Sequence, residues 1–214
     1  MEKKLLALGS DGKLVVKSSD GKETSFDSKP KTTYFQKDPA VVFLLVDCSG
    51  SMEGEKIIQA KQGVGDFAKT AVRKGYRVGL IDFGDKAHLI CEPTRDVSVI
   101  ASGVEKISIT GSTNLTDALN MASGRLLRKK GCRVVVVATD GCPSDPNSAL
   151  EVAAEMKKDK IEILAISTSD ADQNFLSELV SRKGLNLKVE NNELRRGMDM
   201  IAKKLPVQFL EHKR

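Results

Sequence analysis

Oxygen-bearing side chains follow two of the most apolar segments of the chain, and their spacing is suited to a metal ion. Val41–Val46 leads into Asp47-Cys48-Ser49-Gly50-Ser51, which places a carboxylate and two hydroxyls at alternate positions. Val134–Ala138 leads into Thr139-Asp140-Gly141, and Gly111-Ser112-Thr113-Asn114 lies between these two segments. Oxygen donors without His or Cys are typical of sites for hard divalent cations.

The charges of these side chains match those of such an ion. The two carboxylates, Asp47 and Asp140, balance a dication, whereas the hydroxyls add dipoles and no charge. A cation held largely by hydroxyls and water stays electrophilic and can accept a carboxylate from another molecule. The helix predicted from Leu115 points its positive end at the same loops, which favours an anion by ~0.3–1 kcal/mol. We predict Mg²⁺, or Mn²⁺ on the same ligands, bound by Asp47, Ser49, Ser51, Thr113 and Asp140.

Alternating strand and helix signals position these loops. Continuously apolar runs predict strands covered on both faces at Val41–Val46, Val134–Ala138 and Ile161–Ser167. Ser148 and Glu151 have the spacing of a capping box at a helix start. Apolar residues at helical spacing predict five helices, at Glu55–Lys74, Leu115–Lys130, Ser148–Lys158, Phe175–Arg182 and Leu194–Leu205.

Three weaker strand signals complete the predicted sheet. Arg77–Phe83 is expected to turn at Gly84 into an antiparallel neighbour at His88–Cys91, and Leu185–Val189 adds a short strand. The repetition predicts an α/β fold with a Rossmann-like, doubly wound sheet that is mostly parallel, has one antiparallel edge strand and carries helices on both faces. Ligands of such sheets bind beyond the carboxyl ends of the strands, where the polar loops lie.

The first 38 residues differ from the rest of the chain. Ser-Asp-Gly-Lys occurs twice between short apolar stretches, which is a hairpin signal. We predict three antiparallel strands, Leu5–Leu8, Leu14–Lys17 and Glu23–Phe26, and expect this ribbon to pack on the main domain because it has few large apolar side chains. A linker begins near Pro30. The predicted organisation is a ribbon and linker over 1–38, the α/β domain over 39–205 and a tail over 206–214.

Composition excludes several classes of protein. The 214 residues are 40% hydrophobic and only 4% aromatic, with a net charge of +5. Such a chain has the apolar runs that a disordered protein lacks, and too few aromatics for a platform that stacks single-stranded bases. We therefore expect no nucleic-acid partner and interpret the basic run Arg125–Arg133 as a solvated face.

The cysteines and the absence of long apolar runs indicate a compartment. The four cysteines form no Cys-x-x-Cys pair, so a zinc site is not expected. Cys48 and Cys142, beside the polar motifs, are expected to be small buried residues, with a redox role as the alternative. The N-terminal apolar stretch is too short for a signal peptide, and no run approaches the ~20 residues that cross a bilayer. We expect a cytoplasmic protein with no membrane contact.

Taken together, the polar motifs resemble the metal-ion-dependent adhesion site (MIDAS) of von Willebrand factor type A domains. Asp-x-Ser-x-Ser at residues 47–51, Thr113 in Gly-Ser-Thr-Asn and Asp140 in Thr-Asp-Gly stand in that family's order, and the resemblance covers the α/β domain. The resemblance implies that Ser49, Ser51 and Thr113 contact the metal directly and that the two carboxylates bind it mainly through waters. It also implies that an acidic residue of a partner protein completes the coordination.

These observations favour a binding module over an enzyme. Neither His88 nor His212 lies in the motif loops, so the site has no evident general base. Stand-alone bacterial and archaeal relatives resemble partners of AAA+ ATPases or metal-chelatase assemblies, which suggests an AAA+ ATPase as the partner. One alternative is a Mg²⁺-dependent phosphohydrolase with Asp47 as nucleophile, although Ser49 stands where haloacid-dehalogenase-like phosphatases carry a second Asp. Another is a metal that only ties the loops together.

Other patterns have structural interpretations. Thr116 is an alternative hydroxyl ligand, but it lies about one turn into a predicted helix. Gly63-x-Gly65-x-x-Ala68 matches part of a dinucleotide fingerprint inside a helix, which we interpret as close helix packing. Asp170 and Asp172 follow another strand, where they extend the acidic rim or, for Asp172, cap the next helix.

Overall fold

The computed structural model describes residues 38–207 and the backbone of three short strands nearer the N-terminus. These strands, β1 (Leu5–Leu8), β2 (Leu14–Lys17) and β3 (Glu23–Phe26), form an antiparallel sheet in the order β1-β2-β3, as the repeated Asp-Gly turns predict. The predicted linker near Pro30 and the tail beyond residue 207 lie outside the described residues. The expected packing of the ribbon on the main domain stays a prediction.

A second sheet of six strands forms the α/β domain. Its strands are β4 (Ala40–Asp47), β5 (Tyr76–Phe83), β6 (Ala87–Thr94), β7 (Arg133–Thr139), β8 (Glu162–Thr168) and β9 (Asn186–Val189). They stand in the order β6-β5-β4-β7-β8-β9. Every pairing is parallel except that of β5 with the edge strand β6, which is antiparallel and contains register shifts. The predicted doubly wound sheet is therefore confirmed.

Helices cover both faces of this sheet. They are α1 (Glu55–Arg73), α2 (Val97–Val104), α3 (Leu115–Leu126), α4 (Pro146–Lys158), α5 (Gln173–Leu179) and α6 (Leu194–Lys204). On one face α1 packs against α2 and α6, and on the other α4 packs against α3 and α5. Within residues 38–207, no helix is both long enough and apolar enough to cross a membrane.

The two central strands form the core and set the position of the polar loops. Every residue of β4 is buried, and so is every residue of β7 from Val134 onward. Their register pairs Val42 with Val134 and Val46 with Ala138. The chain leaves β4 towards β5 on one side and returns to β7 on the other, so the loops after β4 and β7 diverge at a crevice. That crevice is where ligands of open α/β sheets bind.

Three predicted helix boundaries were wrong, and tertiary contacts account for two of them. Helix α3 ends at Leu126 and not near Lys130, because the following residues have no apolar face to bury and Leu127 is half exposed. Helix α5 ends at Leu179, before the predicted Arg182, because the backbone of Ser181 donates to the Ile163 carbonyl at 3.0 Å.

The third error concerns the start of α4. The predicted capping box of Ser148 and Glu151 does not open this helix. Asp145 is the N-cap residue, its carboxylate accepts from the Ser148 backbone at 3.1 Å, and Pro146 occupies the first turn. Proline is favourable in the first turn because its missing N–H would have no partner there. The helix therefore begins at Pro146, two residues before the predicted start.

Helix α2 was not predicted. It has only eight residues and includes Val97 and Val99, which are weak helix formers. Asp96 caps it by accepting from the Ser98 backbone at 2.9 Å. Packing against α1 and β6 therefore contributes more to the formation of this helix than local helix propensity does.

The two glycines in α1, Gly63 and Gly65, have different surroundings. A Cβ at Gly63 would lie 2.7 Å from Met198 Sδ and 3.1 Å from Arg195 Cα, so this glycine lets α6 approach closely, as predicted. A Cβ at Gly65 would meet nothing within 4 Å, so the packing interpretation does not extend to it. In the core, a Cβ at Gly79 of β5 would lie 2.3 Å from the buried ring of Phe43 in β4.

We expect Gly79→Ala to lower the free energy of unfolding by about 1–3 kcal/mol, because the Phe43 ring must shift in a close-packed core. Gly65→Ala is the control, and it should raise the free energy of unfolding by about 0.5–1 kcal/mol because alanine favours the helix. Urea unfolding of the full chain measures both. Equal stability of the two variants would contradict this description of the core.

Candidate metal centre

Backbone hydrogen bonds hold the loop after β4 against the loop before α3. The Gly50 N–H donates to the Gly111 carbonyl at 3.1 Å, and the Thr110 N–H donates to the Cys48 carbonyl at 2.8 Å. From Gly50 to Met52 the chain then makes one 3₁₀ turn. The first and second polar motifs are therefore neighbours through main-chain contacts.

The second motif is also joined to the loop after β7. The Ser144 N–H donates to the Thr113 carbonyl at 3.0 Å, and the Thr113 N–H donates to Ser144 Oγ at 3.3 Å. Asn114 caps α3 by accepting from the Asp117 N–H at 3.1 Å. The half-buried Thr113 thus stands one residue before the helix cap, in a loop that touches both other motifs.

Asp85, in the turn between β5 and β6, supports the loop of Thr113 from its other side. Its carboxylate accepts from the Ser112 N–H at 2.7 Å, from Ser112 Oγ at 2.9 Å and from the Gly111 N–H at 3.3 Å. These hydrogen bonds, with the Ser112 backbone first, lower the pKa of Asp85. Asp85 follows the turn predicted at Gly84, and nothing local in the sequence links it to Gly111 and Ser112, which lie 26 and 27 positions away.

Asp47 is fully buried at the end of β4, and its carboxylate holds the strand ends together. Oδ1 accepts from the Ser49 N–H at 2.9 Å, and Oδ2 accepts from Thr139 Oγ1 at 2.5 Å. Thr139 ends β7, so this second bond crosses from one central strand to the other. Burial raises the pKa of Asp47, and the hydrogen bonds from Thr139 and Ser49 only partly offset it.

A chain of hydrogen bonds connects the remaining predicted ligands. Ser49 Oγ and Ser51 Oγ lie 3.1 Å apart, and Ser51 Oγ donates to Asp140 Oδ1 at 2.8 Å. Ser49 and Asp140 are buried, whereas Ser51 is exposed. The structure therefore brings three of the predicted ligands into direct contact and places Asp47 and Thr113 on the adjoining backbone.

Lys56, in the first turn of α1, is a charged neighbour that the sequence analysis missed. Its ammonium lies 2.6 Å from Asp140 Oδ2 and 3.3 Å from Asp170 Oδ2. Burial lowers the pKa of Lys56, but the hydrogen bonds and charges of Asp140 and Asp170 outweigh that effect, so its pKa lies above the ordinary value. Asn191 holds Asp170 by donating to Oδ2 at 3.0 Å.

The donor set at this edge fits a divalent cation. Asp47 is a fully buried carboxylate whose two hydrogen-bond donors are neutral. A buried carboxylate is costly without a positive charge nearby, so a cation beside it reduces that cost. Among the described residues no group of three or more His, Cys, Asp or Glu is arranged to hold a metal, so hydroxyls are needed to complete the set. The candidate ligands all offer oxygen: Asp47, Ser49, Ser51, Thr113 and Asp140.

Three other residues, Asp82, Asp172 and Cys48, have separate structural surroundings. Asp82 pairs across the β5–β6 hairpin with His88, whose Nδ1 lies 3.1 Å from Asp82 Oδ1. Asp172 caps α5, as predicted, by accepting from the Asn174 and Phe175 backbones. Cys48 is buried, and burial raises its pKa to about 11.

Cys142 differs from Cys48. It is exposed in the loop after β7, so the expectation of a buried residue was wrong for it. Loop residues beyond a strand end face solvent unless another element covers them, which explains the difference.

Comparisons by sequence and by structure both find proteins that are similar to this chain. A Magnesium-chelatase 67 kDa subunit from Chlorobaculum tepidum is 29% identical in an alignment of 154 positions that covers 62% of this chain and 25% of that subunit. The chain thus spans about a quarter of the length of that relative. The vWF domain of the type V pili tip protein Mfa5 from Porphyromonas gingivalis has a TM-score of 0.70 at 13% identity, covering 78% of this chain and 95% of that one.

A further solved structure has a metal at the corresponding type of motif. Proximal thread matrix protein 1 from the mussel byssus, with a zinc-occupied MIDAS motif, has a TM-score of 0.63 at 20% identity. The match covers 78% of this chain and 46% of that one. At this level of identity the likeness shows a shared fold.

The sequence profile of the von Willebrand factor type A domain matches residues 41–197. That span begins in β4, ends in α6 and contains all three polar loops. The chain therefore belongs to the von Willebrand factor type A domain family.

Proposed function

We propose that this protein is a metal-dependent binding module that captures an acidic side chain of a partner protein through a divalent cation. The observation that carries the proposal is the group formed by Asp47, Ser49, Ser51 and Asp140 at the crevice between β4 and β7. These side chains supply two negative charges and several neutral oxygens. We propose Mg²⁺ as the cation, with Mn²⁺ as the alternative.

The described residues would divide the work of holding the cation. Ser49, Ser51 and Thr113 offer neutral hydroxyls, and Asp47 and Asp140 balance the charge from buried positions. When bound, the cation supplies a Lewis-acid centre for an incoming carboxylate. The N-terminus of α3 adds a favourable dipole for an anion at the same edge.

We propose that the partner belongs to a multi-subunit assembly, with an AAA+ ATPase as the partner class. The similarity to a subunit of magnesium-chelatase supports an assembly role. The net charge of +5 assists association with an acidic partner. We propose the cytoplasm as the compartment, since all four cysteines are free thiols.

The phosphohydrolase alternative is less well supported. A nucleophilic carboxylate needs an oxygen that can reach its substrate, whereas Asp47 is fully buried and both of its oxygens accept hydrogen bonds. We propose accordingly that the protein is not an enzyme.

Thr113→Ala should weaken Mg²⁺ binding by at least ~10-fold, because it removes a direct ligand. Thr116→Ala makes the same change in the first turn of α3 and should leave the affinity near that of the wild type. Calorimetric titration of the full chain with MgCl₂ measures both variants. The reverse pattern would assign the hydroxyl ligand to Thr116.

Affinity capture from lysate, read by mass spectrometry, tests the partner. We expect a specific partner with Mg²⁺ that is lost with EDTA and lost with Asp140→Ala, because both changes remove the cation that the partner carboxylate binds. Asp66→Ala is a control with the same charge change, on α1, and should behave as wild type. Identical recovery under all conditions would contradict metal-dependent capture. If Mg²⁺ nevertheless raised the melting temperature, the metal would only tie the loops together.

A screen with aryl and sugar phosphates tests the enzyme alternative. We expect no Mg²⁺-dependent turnover, because the Asp47 carboxylate is enclosed. Turnover that Asp47→Asn abolishes, in a variant that melts like the wild type, would establish the phosphohydrolase instead.

A further inference from the structure

Lys56 places a positive charge against one of the predicted ligands of the candidate metal centre, Asp140. Its ammonium is 2.6 Å from Asp140 Oδ2, and Asp140 Oδ1 accepts from Ser51 at 2.8 Å. Both oxygens of this buried carboxylate are therefore engaged, one by a neutral hydroxyl and one by a cation. A divalent ion at the hydroxyls has to share Asp140 with Lys56.

The position of Lys56 is held from several sides. Its backbone belongs to the first turn of α1, and its ammonium also contacts Asp170 at 3.3 Å, after β8. Asn191, before α6, donates to the same Asp170 oxygen at 3.0 Å. The Lys56 side chain is only 19% exposed, so most of it is packed and not free in solvent.

The charges explain why this matters for a metal. Asp47 and Asp140 contribute two negative charges, and Lys56 offsets one of them at hydrogen-bond distance. Repulsion between an ammonium and a dication a few ångströms apart is large where solvent is partly excluded. Lys56 therefore opposes metal binding while it stabilises the Asp140 carboxylate.

We propose that Lys56 is a built-in counter-cation that sets the metal affinity of the site, holding it well below what the oxygen ligands alone provide. The inference rests on the proposed function in that it concerns the same site. It makes metal occupancy, and with it partner capture, dependent on the free concentration of the divalent cation.

Mn²⁺ titration of the full chain, followed by electron paramagnetic resonance, tests the proposal. Lys56→Met, close in length and uncharged, should bind Mn²⁺ about tenfold more tightly than wild type. Lys56→Gln should act in the same direction, and Lys56→Arg, which keeps the charge, should stay near wild type. Lys69→Met is the control, because it removes a lysine charge about 20 Å farther along α1.

Thermal melting provides a second readout. In EDTA, Lys56→Met should melt below the wild type because Asp140 loses its cationic partner, and saturating Mn²⁺ should recover most of that difference. A purely structural lysine would instead lower the melting temperature equally in both conditions and leave Mn²⁺ affinity unchanged.

Unchanged or weaker Mn²⁺ binding by both Lys56→Met and Lys56→Gln would overturn the proposal and leave metal-dependent capture intact. A wild-type chain that binds neither Mn²⁺ nor Mg²⁺ would instead remove the proposed function, and this inference with it. The two failures are therefore distinguished by the wild-type titration alone.

Discussion

The hydrogen bond from Thr139 to Asp47 joins the two central strands of the sheet at the point where the chain changes direction. β4 and β7 are buried throughout this region and pair with each other up to Val46 and Ala138. A carboxylate in such a place is costly unless donors surround it. Ser49 and Thr139 supply those donors, and in doing so they fix where the loop after each strand begins. The loops that carry Ser49, Ser51 and Asp140 begin at that junction.

The two carboxylates of the centre are stabilised in different ways. Asp47 has neutral donors and a pKa raised by burial, whereas Asp140 lies against the ammonium of Lys56. A cation beside Asp47 would stabilise its ionised form, whereas Asp140 already has a cationic neighbour. The negative charge of Asp140 also contributes to the raised pKa of Asp47, because like charges disfavour each other's ionised state.

The sequence predicts the features that depend on local pattern. Val134–Ala138 and its counterpart in β4 are apolar without interruption, so they are recognisable as buried strands, and the polar motifs follow directly from where those strands end. The sequence does not predict α2, whose valines favour other conformations. It also does not predict the supporting roles of Lys56 and Asp85. Lys56 meets Asp140 across 84 positions in the chain, and such contacts exist only once the sheet has brought the loops together.

The edges of the main sheet bear on how such a protein can associate. Strand β6 runs antiparallel with register shifts and contains Pro93, and β9 has only four residues, including the exposed Lys188. Proline, irregular pairing, short length and exposed lysine all discourage another chain from adding a strand. Sheet extension between copies is thereby disfavoured at both ends. The main sheet therefore resists polymerisation through its own backbone even at high local concentration.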